Sequence, residues 1–214
     1  LWATWVVTDS VALEAARGMR ALSPSACDPA ALRVADFAED MPPGIYHVAI
    51  SVRSPGGGRG VFRESLRLER DTGELQLSDI MITCGAPDLG AQPVRPAPNP
   101  EAAVPRGGPL SAYFEIHHLQ PGEQGRSRFE VLYTVRSAEH DPRIWLQRLV
   151  SPRPSVPSIS ASREEENPGP LRRQFLAVPL QDLPLGRYWL DVRVRDLVAG
   201  SATDRRVAFR IAAH

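Results

Sequence analysis

Tyr188, Leu190, Val192 and Val194 alternate with Trp189, Asp191, Arg193 and Arg195. A period of two marks a strand with one buried face. Pro184 and Gly186 break the chain just ahead of it, as a tight corner needs, and "DLVAGSATD" turns it through Gly200. Val207, Phe209 and Ile211 then alternate with Arg206, Ala208 and Arg210. The unit reads as a β-hairpin with a corner in front.

The same rhythm recurs along the chain. Phe114 and Ile116 alternate in "YFEIHHL", and Phe129, Val131, Tyr133 and Val135 alternate in "RFEVLYTVRS". "RIWLQRLV", "QFLAVPL" and "LQLSDIMI" are apolar enough for strands, and "LWATWVVTD" opens the chain as if in mid-strand. The best helical stretch is "DSVALEAARGMRAL". Asp9 or Ser10 would cap it, and Val11, Ala15, Met19 and Leu22 would share one face. Gly18 weakens that pattern.

The hairpin has an echo. At an offset of 142 residues, positions 32–63 face 174–205, and nine of these thirty-two are identical. The matches include Pro42/Pro184, Gly44/Gly186, Tyr46/Tyr188, Val52/Val194 and Gly58/Gly200. Identities at corners and turns mark an internal structural repeat. The second strand of the first copy fits only after a one-residue shift, so the two turns should differ in length. A tyrosine just after a Pro/Gly corner suits the tyrosine corner of immunoglobulin-like sandwiches, whose hydroxyl bonds corner backbone. The plainer alternative is a half-buried strand tyrosine.

The expected fold is all-β, with two immunoglobulin-like or fibronectin-like β-sandwich domains. The first spans residues 1–85 and the second 110–214. Residues 86–109 carry seven prolines and no strand pattern, so they read as a stiff, extended linker. Residues 151–170 read as a long irregular loop. By the repeat offset, the opening strands near Tyr113 have no counterpart in the chain, so the first sandwich should be incomplete or completed by something else.

Composition narrows the functions. Apolar residues make up 43% of 214, with no run long enough for a membrane span. The 25 basic and 25 acidic residues cancel, and every basic residue is Arg. No net field draws the chain to nucleic acid, and no basic patch is interleaved with aromatics. No signal peptide is visible, so the chain reads as a processed or truncated piece. Cys27 and Cys84 match no zinc spacing and suit either a disulfide or two free thiols.

Candidate chemistry is sparse. His117 and His118 should point to opposite faces of a strand. Glu115 and His117 share a face, but a metal needs a further ligand. His140 and Asp141 lie in a turn with no nucleophile elbow to serve. "GGGRG", residues 56–60, falls in a hairpin turn without the helix a phosphate loop requires. "REEEN", Arg163 to Asn167, reads as a solvated charge run in the loose loop. No catalytic, cofactor-binding or metal-ligating residue is nominated, and no enzymatic activity is expected.

The run from Asn99 to Ser137, with "GGPLSAYFEIHHLQPGEQGRSRFEVLYTVRS", resembles the C-terminal region of bacterial GWxTD-domain proteins. So do "LQLSDIMI" before it and "PLGRYWLDVRVRD" after it. The Gly-Trp-x-Thr-Asp signature itself is absent. The resemblance implies the β-sandwich tail of an envelope-associated protein and carries over no catalytic residue. The function expected is therefore a non-enzymatic interaction or scaffolding module. It would be a membrane-extrinsic subunit of a larger bacterial envelope complex, periplasmic or membrane-peripheral, with other protein subunits as partners. A photosynthetic assembly is one form such a complex could take, though no residue derives it. The alternative is an accessory substrate- or carbohydrate-binding sandwich of a larger enzyme. That reading needs coplanar exposed aromatics, whereas Trp145 and Trp189 are separate.

Overall fold

Alternating segments become strands. The computed structural model describes residues 1–85, 96–138 and 158–213, and every regular element among them is a strand. The chain divides into two compact units, Leu1–Gly73 and Glu74–His214.

Unit one contains β1 (Trp2–Asp9), β2 (Glu14–Ala21), β3 (Ser23–Pro24), β4 (Arg33–Val34), β5 (Gly44–Arg53) and β6 (Arg59–Leu68). Four of them form one antiparallel sheet in the order β2-β1-β5-β6, while β3 and β4 pair as a short ribbon. Ala3, Trp5 and Val7 alternate inward along β1. Trp5, Val7, Tyr46 and Val48 form the core, with Ala16, Phe37, Met41 and Ile50 against them. Phe37 stacks on Trp5 at 4.5 Å, and the indole N–H donates to Glu39 Oε1 at 3.1 Å.

The segment expected to be helical is a turn followed by β2. Asp9 caps a hairpin rather than a helix. Its Oδ1 accepts the N–H of Val11 at 3.0 Å and of Leu13 at 2.9 Å, and Ala12 sits at φ 66°. Val11 and Met19 are exposed. Gly18 lies opposite Trp5, and a Cβ there would come within 2.0 Å of the ring. The strand register lets a large indole pack over a residue with no side chain. A helix offers no such burial for Trp5, and tertiary packing outweighs local propensity.

Unit two contains β7 (Gln76–Leu77), β8 (Met81–Thr83), β9 (Ala103–Pro105), β10 (Pro109–His117), β11 (Ser127–Ser137), β12 (Ile159–Asn167), β13 (Arg172–Pro179), β14 (Gly186–Asp196) and β15 (Ala202–Ala212). One sheet runs β13-β10-β7, with β8 also on β10. The other runs β12-β11-β14-β15-β9, and its β9–β15 pairing is parallel. Alternate residues of both sheets enter one buried cluster, including Phe114 and Ile116, Phe129 and Val131, and Leu190, Val192 and Val194. Each such side chain contributes about 1.5–3 kcal/mol on burial.

Residues 76–83, placed by the sequence pattern with the first domain, pair with β10 of unit two. Residues 103–105 of the expected linker pair with β15. The "REEEN" run is not a loose loop. It belongs to β12, which pairs with β11 from Ser127↔Asn167 to Val135↔Ile159. The expected strand "RIWLQRLV", with Trp145, lies outside the described residues, as do His140, Asp141 and positions 86–95 and 151–157.

The repeat is structural. Tyr46 donates to the carbonyl of Pro42 at 2.8 Å, and Tyr188 donates to that of Pro184 at 2.8 Å. Both rings are buried. Tyr46 faces Leu66, while Tyr188 faces Phe209. The offset of 142 would carry Leu66 to residue 208, so the second turn is one residue longer. The turns are fastened at equivalent positions. Ser54 Oγ accepts the N–H of Gly58 at 3.0 Å. The buried Asp196 accepts from Val198 at 2.8 Å, Ala199 at 3.0 Å and Gln120 at 2.7 Å.

Candidate interaction surface

Polar side chains that the sequence singled out meet in ion-pair clusters. Glu115 and His117 do share a face of β10, with His117 Nε2 3.4 Å from Glu115 Oε2. The third member is not a metal ligand. Tyr113 donates its hydroxyl to Glu115, and Arg173 Nε of β13 donates to Glu115 Oε1 at 3.2 Å. Burial alone would raise the Glu115 carboxyl. Tyr113, Arg173 and His117 outweigh it and hold the group below the usual carboxylate range. Burial, and then Glu115 itself, push the Tyr113 phenol up to about 12. His118 leaves the strand at φ 61°. Among the described residues no three His, Cys, Asp or Glu side chains are grouped to hold a metal. Within "GGGRG", Gly56–Gly58 lie in the β5–β6 turn, and Arg59 and Gly60 open β6.

Two further carboxylates tie strands together. Asp191 accepts from Arg136 Nε at 2.6 Å and from Arg206 Nε at 2.5 Å, bridging β11, β14 and β15. Burial would raise its carboxyl, but the two guanidiniums hold it low. Glu165, on β12, accepts from Arg172 Nη2 at 2.9 Å and Gln174 Nε2 at 3.1 Å, both on β13 of the other sheet. The periodicity of "REEEN" did not show this role, because the partners of Glu165 lie on another strand. Trp189 carries the Arg206 guanidinium 5.6 Å from its ring centroid, so that face of the indole is already used.

The exposed surface that stands out is β6. All 10 of its residues are exposed, on both faces. It pairs with β5 on one side, and no described strand pairs with the other. The repeat supplies an internal control. In unit two the end of the equivalent strand, Arg210–Ala212 of β15, is flanked by β9. Leu66, equivalent to Phe209, is 43% exposed against 4%. Leu68, equivalent to Ile211, is 38% exposed against 3%. Phe62 adds a third large apolar side chain on the same face, which is the face of Tyr46, Val48 and Ile50. An uncovered edge offers a row of backbone donors and acceptors, and here also an apolar margin.

Both cysteines, Cys27 and Cys84, are disulfide-bonded. No helix among the described residues is long and apolar enough to cross a membrane. Compared with known proteins, the chain matches no family model and no curated protein.

Proposed function

We propose that the chain is a non-enzymatic protein-interaction module built from immunoglobulin-like sandwich units, a scaffolding subunit held on a larger assembly by an open sheet edge. The observation that carries this reading is β6, bare on both faces, where its structural equivalent β15 buries Phe209 and Ile211 and pairs with β9 at Arg210–Ala212. Strand addition to such an edge draws affinity from main-chain hydrogen bonds and selectivity from alternate side chains. The tyrosine corners support the immunoglobulin-like assignment. The disulfide-bonded cysteines support an oxidising compartment such as the periplasm. With the resemblance to GWxTD-domain proteins, they favour a membrane-extrinsic subunit at the bacterial envelope.

Hydrogen exchange tests the reading. The isolated chain is compared with the chain in its native membrane assembly. Selective protection of unit one, the 86–109 segment or the 151–170 segment in the assembly supports a scaffold role. Unchanged exchange at every amide refutes it.

A further inference from the structure

The intact half of the repeat shows what β6 lacks, and the lack is specific. Arg63 is equivalent to Arg206, since Arg63 faces Ala49 and Arg206 faces Asp191 at matching positions of the ladder. Arg206 is neutralised by Asp191 at 2.5 Å. In unit one the Asp191 position is Ala49, so Arg63 has no acid across the ladder. Arg67 is equivalent to Arg210, facing Ile45 as Arg210 faces Arg187. Arg210 is met by Glu101 at 2.8 Å, and Glu101 belongs to the segment leading into β9, the strand that pairs with Arg210–Ala212. Arg67 has no such neighbour. Arg59 stands on the same face as both. Among the ion pairs of the described residues, none involves Arg59, Arg63 or Arg67.

One strand therefore presents a largely apolar margin, interrupted by Glu64, on one face and three unmatched guanidiniums on the other. Phe62, Leu66 and Leu68 line the first, with Glu64 among them, and Arg59, Arg63 and Arg67 line the second, with Val61 and Ser65 between them. We propose that β6 receives an extended segment of a separate protein whose residues alternate between acidic and apolar, with acids four apart to meet Arg63 and Arg67 and apolar side chains to cover Leu66 and Leu68. Residues opposite one another across a ladder share a face, so the alternation matches whichever way the segment runs. The apolar half supplies burial, as Val104 of β9 does beside Ile211. The acidic half selects the partner and sets the register. A second copy of β6 fits less well, because it brings arginines rather than acids to the arginine face. This inference rests on the interaction-module reading and names its partner class.

The test uses the full chain and synthetic ten-residue peptides in fluorescence anisotropy, with hydrogen exchange as the locator. One peptide alternates Glu with Val and Leu in the stated pattern. A second replaces each Glu with Lys, and a third scrambles the first. The expected result is binding of the Glu peptide alone, with new protection at the β6 amides. Arg63→Glu with Arg67→Glu should weaken the Glu peptide by about tenfold and restore binding to the Lys peptide. Both arginines are exposed, so the double variant should melt like the parent, and a reciprocal switch in preference cannot arise from misfolding. Equal binding of the Glu and Lys peptides overturns the proposal. So does no binding up to about millimolar peptide, or protection away from β6. Protection of β6 that rises with chain concentration and no peptide present would assign the edge to a second copy, and also overturns it. If β6 is protected in the native assembly but the Glu peptide is not preferred, the partner chemistry fails while the module reading stands.

Discussion

Tyr46 and Tyr188 each pin a corner by donating to the carbonyl four residues back, at Pro42 and Pro184. The bond and the ring contribute separately. Tyr188→Phe keeps the ring beside Phe209 and loses the bond, which should cost about 0.5–1.5 kcal/mol. Tyr188→Ala also empties the core beneath, which should cost about 3–5 kcal/mol. Urea melts of the two variants check this, and equal losses would contradict it. Gly18 makes the opposite demand, for space. Gly18→Ala would drive a methyl into the Trp5 ring, so it should destabilise by about 1–3 kcal/mol despite the better strand propensity of most residues over glycine. An unchanged melt with unchanged Trp fluorescence would contradict that contact. The corner tyrosines were legible in the sequence because Pro, Gly and Tyr recur together at one offset. The role of Gly18 was not, because its reason lies on another strand, at Trp5.

At the scale of elements, alternation located β10, β11, β14 and β15, apolar runs located β1 and β13, and the repeat located β5, all of which bury one face against a core. Patterning misread the elements whose logic is non-local. The segment that becomes β2 carries an apolar set compatible with a helix, and the hairpin closed by Asp9 decides otherwise. The segment that becomes β12 looked like a loop because its inward position is Glu165, a carboxylate satisfied by Arg172 and Gln174 from β13. β7, β8 and β9 are 2 to 3 residues long, too short for any period to show which sheet they join. The β10–β13 face also yields a pH dependence. Glu115 is held low, so its contribution to stability is present above the ordinary carboxylate range and fades as pH falls through its lowered value. Tyr113 is raised to about 12, so its contribution is complete below the ordinary phenol value near 10 and is lost as pH climbs from there through about 12. Glu115→Gln should flatten the acid limb of a stability–pH profile. Tyr113→Phe should flatten the alkaline limb, and ultraviolet titration of the parent should show a late phenol that this variant lacks. Unchanged limbs in both variants would show that the cluster does not couple to folding.

At the scale of the molecule, the repeat writes one hairpin twice, once in each unit, and the two copies differ in what lies beyond the second strand. In unit two, β9 pairs with the last three residues of β15, Arg210–Ala212. In unit one, β6 remains open along 10 residues. The exposed edge itself could be found only from the pairing order. The cysteines add a condition on where the chain works. Thiol titration under denaturing, non-reducing conditions should find no free thiol, and two after reduction. Two free thiols before reduction would remove the support for an oxidising compartment. The most direct measurement of the open edge is retention in the native assembly of a variant carrying Phe62→Asp and Leu66→Asp. Both side chains are exposed, so folding should change by no more than about 0.5 kcal/mol. The variant should melt with the parent yet wash out of membranes that retain the parent. Equal retention of the two would contradict a scaffold held through β6.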